Sequence, residues 1–197
     1  MALLAAIIGC ALPAQAAMLP PSASVGPLAH VIQTLNNCGP ASVAEVLHFW
    51  GIDKTQGELQ RVLRRGPALM NTDDVADYVA NLGLREFIGG SGSDDVVKAL
   101  VSRGFPVIVA QYVSDRDWFP HFRPIQAYDD AGRYFVASDP LLGAGYRIAY
   151  GDFDRLWTSS NGVFLVIYPP AMQQMLDDAL TVSQFSGPSW MTPTSGA

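Results

Sequence analysis

The chain is short of positive charge, of lysine above all. Its 12 basic residues include only Lys54 and Lys98 as lysines and face 18 acids, for a net charge of −6. With no basic stripe to neutralise phosphates, a nucleic-acid partner is excluded, and an acidic surface is unsuited to anionic membrane headgroups. Long apolar runs are missing too. The main one, residues 3–12, is about half of the roughly 20 residues that a membrane-spanning helix needs, so no integral membrane span is expected. No GxxxxGK[ST] phosphate loop occurs, which removes an ATPase. Neither an internal repeat nor a G-X-Y period is present, and no cofactor motif. Charged residues make up 15% of the chain and hydrophobic ones 49%, a balance that excludes disorder for the bulk. At 197 residues the chain reads as one domain, large enough to bury about 70% of its unfolded surface.

Cysteine is scarce, at two residues, Cys10 and Cys38. The apolar stretch 3–12 followed by the small residues Ala14-Gln15-Ala16 reads as an export signal, although no Lys or Arg precedes it. The expected division is a signal peptide over 1–16, a folded domain over 17–170, and a short helix with a mobile tail over 171–197. The protein is expected to be exported, to a periplasm or the extracellular space. A rival reading takes Ile7-Ile8-Gly9-Cys10 as a lipoprotein box with Cys10 lipidated, at the cost of a very short leader. Removal of 1–16 leaves Cys38 as a single thiol without an internal disulfide partner. Such a thiol is either a small buried hydrophobe or a reactive group.

The residues around it favour reactivity. Gln33-Thr34-Leu35-Asn36-Asn37-Cys38-Gly39-Pro40 leads into a stretch where Val43, Val46, Leu47 and Trp50 recur at helical spacing. Pro40 suits a first turn and Gly51 a C-terminal stop. Cys38 therefore sits at a helix N-terminus, where unpaired N–H groups and the dipole favour a thiolate.

A thiolate needs a base, and there are three histidines. His48 lies ten residues up the same helix, about 15 Å away along its axis. His30 lies in an irregular Pro/Ser/Gly-rich stretch without a scaffold. His121 precedes a segment, 122–128, that reads as a strand, followed by the turn Asp129-Asp130-Ala131-Gly132 and a second strand over 133–138. A turn centred on Asp130 places Asp139 opposite His121, with Cβ atoms about 4.5–5.5 Å apart, close enough for a carboxylate to orient the ring. A centre half a residue later places Pro140 there instead.

This arrangement resembles the peptidase C39 family, in its stand-alone C39-like branch of the papain-like cysteine peptidases. Gln33 to Cys38 resembles the family's Gln-x4-Cys-Gly-Pro-Ala opening. His121-Phe122 resembles its histidine before a strand ending in Tyr128-Asp129, and Ser138-Asp139-Pro140 resembles its Asp-Pro. The end of the family's domain is matched by Phe153 to Trp157 and the strand 163–168. The resemblance covers about residues 27–170. It implies Cys38 as nucleophile, His121 as base, Asp139 as the residue orienting it, Gln33 as oxyanion-hole donor, and a peptide or protein as substrate. Arg123-Pro124 departs from a strand that is usually aliphatic in the family. A proline there removes a ladder donor and implies an edge or a bulge. Ala127 stands where glycine is usual.

Between the motifs, Thr55 with Glu58 forms a capping box for a helix to Arg65, Thr72 caps a helix over 73–82, and Ser93 opens one over 94–103. The apolar run 105–113 reads as a central strand. The loop 114–120, which leads into His121, is expected to form a rim of the cleft, with its Trp118 expected in the core rather than as a substrate platform. Helices first and an antiparallel sheet afterwards give an α+β fold, with a cleft between the Cys38 helix and the sheet, and the resemblance implies that this fold is of papain-like type. The expected reaction is amide hydrolysis through a thioester, with no cofactor. Two other readings stand beside it: a catalytically inactive protein that binds peptides on the same fold, and a metal site from Cys38, His121 and Asp139, which lacks a fourth ligand and ligand spacing.

Overall fold

The computed structural model describes residues 18–64 and 70–187; the expected signal segment, Cys10 and residues 188–197 lie outside the described residues. The chain runs β1 (Ser22–Ser24), α1 (Cys38–Phe49), α2 (Gln56–Leu63), α3 (Asp73–Ala80), β2 (Arg85–Gly89), α4 (Asp94–Val101), β3 (Val107–Gln111), β4 (His121–Asp129), β5 (Tyr134–Asp139), β6 (Gly143–Ala149), α5 (Tyr150–Thr158), β7 (Phe164–Tyr168) and α6 (Gln173–Val182). The strands form one antiparallel sheet in the order β2-β7-β3-β4-β5-β6, and β1 pairs with the far end of β4.

Helices cover both faces of this sheet. On β3, Ile108 and Ala110 point to one face and Val107 and Val109 to the other, as the two-residue period requires. The first pair joins Val43, Val46 and Leu47 of α1, Leu59 and Leu63 of α2, and Val75 and Val79 of α3. The second pair joins Val96 and Leu100 of α4, Phe153 and Trp157 of α5, and Leu176 of α6. Every residue of β3 and of β7 is therefore buried, which explains an apolar run without alternation. Each of these large side chains contributes about 1.5–3 kcal/mol by leaving water.

The expected helices form with the expected punctuation, apart from two caps. Thr55 and Glu58 make a complete capping box on α2, and α1 ends before Gly51, whose φ of +77° suits the chain reversal. Thr72 is itself helical and gives no side-chain cap. Instead, Asn71 Oδ1 accepts from the Asp73 N–H at 3.2 Å. Ser93 is extended as a cap residue must be, but its hydroxyl makes no capping bond. The reading of helices first and strands afterwards missed β1, β2 and β6. Strand β2 lies between two helices, and β6 holds two glycines and mostly exposed side chains, so it lacks the apolar alternation that marks a strand. Phe185 packs its ring against Phe87 and Phe164, so the segment that follows the short C-terminal helix is anchored at least that far.

The β4–β5 hairpin forms, in a different register from the expected one. Asp129 pairs with Tyr134, Tyr128 with Phe135 and Ala127 with Val136, and after a bulge Ile125 pairs with Ala137. The turn is longer than a reversal centred on Asp130 because residues 130–133 all loop out, Arg133 with φ +55°. The bulge falls at Gln126, two residues beyond Pro124, in a strand that is central rather than at an edge. Continuing the register past the bulge brings Arg123, not His121, level with Asp139.

Candidate active site

Cys38 is the first residue of α1 and is 6% exposed. Burial alone would push its thiol up. A hydrogen bond with His121, the backbone N–H groups of Phe122 and Gly39, and the charge of His121 outweigh it, and the thiol lies below its ordinary value. The helix start is held to the sheet by the Ser42 hydroxyl, which donates to the Phe122 carbonyl at 3.0 Å, beside His121.

His121 opens β4, and its Nε2 donates to Asp139 Oδ1 at 2.8 Å, with both side chains buried. That bond leaves Nδ1 to face Cys38. Burial disfavours the imidazolium, but the bonds to Asp139 and Cys38 prevail and raise the ring above its ordinary value. Asp139, at the end of β5, is opposed by burial yet held below the usual carboxylate range by His121, by the charge of Arg123 and by backbone N–H groups. Its Oδ1 also accepts from Leu141 N at 2.8 Å and Leu142 N at 2.9 Å. The two residues meet although the ladder does not oppose them, because neighbours one pair apart on the same face remain within reach of long side chains.

Gln33 lies half-buried on the loop before α1. Its N–H donates to the Pro140 carbonyl at 3.0 Å, next to Asp139. Its amide oxygen is buried without a hydrogen-bond partner, an orphan polar group of the kind that a binding site leaves open. The loop is clamped by Gln56, at the start of α2, which carried no signal in the sequence. Its amide donates to Ile32 O at 2.7 Å, and its Oε1 accepts from Thr34 N and Asn37 Nδ2, both at 2.9 Å.

His30 and His48 stand apart from the thiol. His30 Nδ1 is 3.3 Å from both Ser138 Oγ and Glu45 Oε1, and His48 Nε2 is 3.3 Å from Asp53 Oδ1. Trp118 is 87% exposed and Phe119 70%, so the expectation of a core Trp118 fails. Both rings stand on the loop that leads into His121, and Leu141 and Leu142, also exposed, follow Asp139.

Two charged residues had no role read from the sequence. Glu45 lies two turns beyond Cys38 on the same helix face, fully buried, and its Oε1 accepts from Val31 N at 2.8 Å. Burial pushes its carboxyl up to about 8 against that bond. Arg123, the residue that breaks the aliphatic pattern of the strand, is buried with Nη1 3.2 Å from Asp139 Oδ2. The contact joins charges but is too poorly aligned for a hydrogen bond.

Among the described residues no helix is long and apolar enough to cross a membrane. No curated protein matches the sequence. Solved structures do match, at identities that speak for the fold. A double-glycine-motif protease from an AMS/PCAT transporter, solved with a leader peptide, is 21% identical with a TM-score of 0.58, over 75% of this chain and 94% of that one. The peptidase domain of Streptococcus ComA, a bifunctional ABC transporter, is 18% identical with a TM-score of 0.57, over 71% and 97%. A C39-like peptidase from Bacillus anthracis is 12% identical with a TM-score of 0.59, over 74% and 96%. The model of the Peptidase_C39 like family matches residues 25–164, which takes in the Cys38 helix, the His121 hairpin and the start of β7, and the chain belongs to that family.

Proposed function

We propose that the protein is an exported cysteine peptidase that cleaves an amide bond in a peptide or protein through a thioester. The observation that carries this reading is the buried His121 ring, bonded to the Asp139 carboxylate at 2.8 Å and near enough to Cys38 at the start of α1 to lower its thiol. Cys38 as thiolate attacks the scissile carbonyl carbon. The oxyanion so formed is held by the Cys38 backbone N–H and the Gln33 amide. His121 passes the Nδ1 proton to the nitrogen as the C–N bond breaks, and the amine departs. Neutral His121 then removes a proton from water, which adds to the thioester. The C–S bond breaks to release the carboxylic acid and restore thiolate and imidazolium. Asp139 keeps the ring in the tautomer and orientation that this needs, and no cofactor takes part. The leader peptide bound to the AMS/PCAT relative supports a peptide as substrate, and the stretch 1–16 supports export.

The test measures the thiolate and needs no known substrate. Iodoacetamide at about pH 6 is expected to alkylate folded wild type rapidly, and denaturant is expected to slow the reaction, because activated cysteines lie at about 3.5–7.5 against about 8.5 when free. A buried, inert thiol gives the reverse order, and that result would remove the reading. Profiling against a peptide library, with Cys38→Ala as the control, then separates cleavage from binding alone.

A further inference from the structure

Arg123 is an unusual buried cation. It lies two residues beyond His121 on the same face of β4, it is 2% exposed, and it meets Asp139 on the oxygen opposite the one that His121 uses. Its Nε and Nη2 are buried without a hydrogen-bond partner among the described residues. An arginine kept for stability would have its donors satisfied, because a buried charge is costly unless paired and fully bonded. The charged and titratable groups around it are Asp139 on β5, Tyr146 on β6, Cys38 on α1, Asp117 on the loop before β4, and His121 on its own strand. The facing positions on β3, Val109 and Gln111, are neutral.

We propose that Arg123 is a positioning residue that braces the Asp139 carboxylate on the oxygen away from His121, and whose buried positive charge sets the pH range over which the Cys38–His121 pair exists as thiolate and imidazolium. This rests on the reading of Cys38 as nucleophile and extends it. A fixed positive charge in a low-dielectric pocket favours the thiolate and disfavours the imidazolium. Both titrations therefore sit lower than the dyad alone would place them. The residue that departs from the family's strand pattern thus tunes this chain toward acidic pH.

The sign of the effect separates charge from packing. In Arg123→Met, loss of the charge moves both midpoints upward, that of Cys38, read from the pH dependence of iodoacetamide alkylation, and that of the His121 ring, read by NMR. A shift on the order of one unit is expected for each. If Arg123 served packing alone, its removal would loosen the contact between His121 and Asp139. The Cys38 midpoint would then rise while that of His121 falls, because the ring loses the carboxylate that favours its charge. Arg123→Lys is expected to restore both midpoints. Arg123→Gln, which keeps a donor toward Asp139 without the charge, is expected to behave as Arg123→Met and serves if the latter does not fold. Unchanged midpoints in both neutral variants, or a falling His121 midpoint, overturn the proposal. A wild-type thiol inert at pH 6 removes the reading of Cys38 as nucleophile instead, and the His121 titration still decides the role of Arg123.

Discussion

Glu45 is a buried carboxyl that the proposed chemistry does not use, and it makes the stability of the fold depend on pH. Held up at about 8, it keeps its proton in the folded protein where the unfolded chain, at an ordinary carboxylate value, has lost it. The folded state therefore binds more protons between those values, so stability falls as pH rises toward 8. Glu86 on β2, also pushed up to about 8, with both carboxyl oxygens buried and unpartnered, acts with the same sign. Thermal unfolding midpoints are expected to drop from pH 6 to pH 9. Glu45→Gln, which preserves an acceptor for Val31 N, is expected to flatten that slope; an identical slope in the variant would show that Glu45 ionises freely in the fold. Gln33→Ala is expected to lower kcat by about 10²–10³ with unfolding unchanged, as loss of one oxyanion donor does. Turnover within twofold of wild type would remove that role. The legible residues were those whose chemistry is local. Cys38 announces itself by a helix start, and His121 and Asp139 by the ends of two strands. Glu45 and Arg123 were illegible because a charge in an apolar pattern shows neither its burial nor its partner until the other elements close over it.

The hairpin shows how an element can be read rightly in kind and wrongly in register. Its strands followed from β-branched and aromatic residues and its turn from Asp-Asp-Ala-Gly, but nothing in that pattern told how many residues loop out. The bulge was legible only as a proline in an awkward place. Its extra residue is put to use, since Gln126 accepts from Leu28 N through its side chain and from Val25 N through its carbonyl, and so ties the segment leading to Gln33 onto β4. The other anchor of that segment is Gln56, at the start of α2. Gln56→Ala removes an acceptor shared by Thr34 and Asn37 and a donor to Ile32, while leaving the contact of Cys38 with His121 intact. It is therefore expected to lower kcat on a peptide while the alkylation rate at pH 6 stays at the wild-type value. A parallel fall in both rates would mean that the clamp supports the whole helix start rather than the oxyanion loop.

Across the whole molecule, the sheet separates two apolar layers, and the candidate site draws on both. Cys38 packs with the α1–α2–α3 layer, whereas His121 and Arg123 share their strand face with Ile125, which packs in the α4–α5–α6 layer. Two glycine substitutions, one in each layer, test how far stability and reactivity are separable. Gly162, between α5 and β7, has φ +58°, and a Cβ there would stand 2.7 Å from the Gly92 backbone nitrogen. Both the conformation and the contact with main chain resist alanine, so Gly162→Ala is expected to lose about 1–3 kcal/mol of stability. Gly39 is helical, where alanine is intrinsically favoured by about 1 kcal/mol, but its Cβ would lie 2.6 Å from Met70 Cβ and 2.8 Å from its sulfur. Relief there moves either Met70 or the first turn of α1, which carries Cys38. Gly39→Ala is expected to lower the urea midpoint less than Gly162→Ala, because helix propensity offsets part of the clash, and to slow alkylation of Cys38 at pH 6 several-fold, whereas Gly162→Ala shifts the urea midpoint and leaves the folded alkylation rate alone. If Gly162→Ala slowed alkylation as much as Gly39→Ala, the two layers would act on the site as one body, and the reactivity of Cys38 would depend on global packing rather than on its own turn.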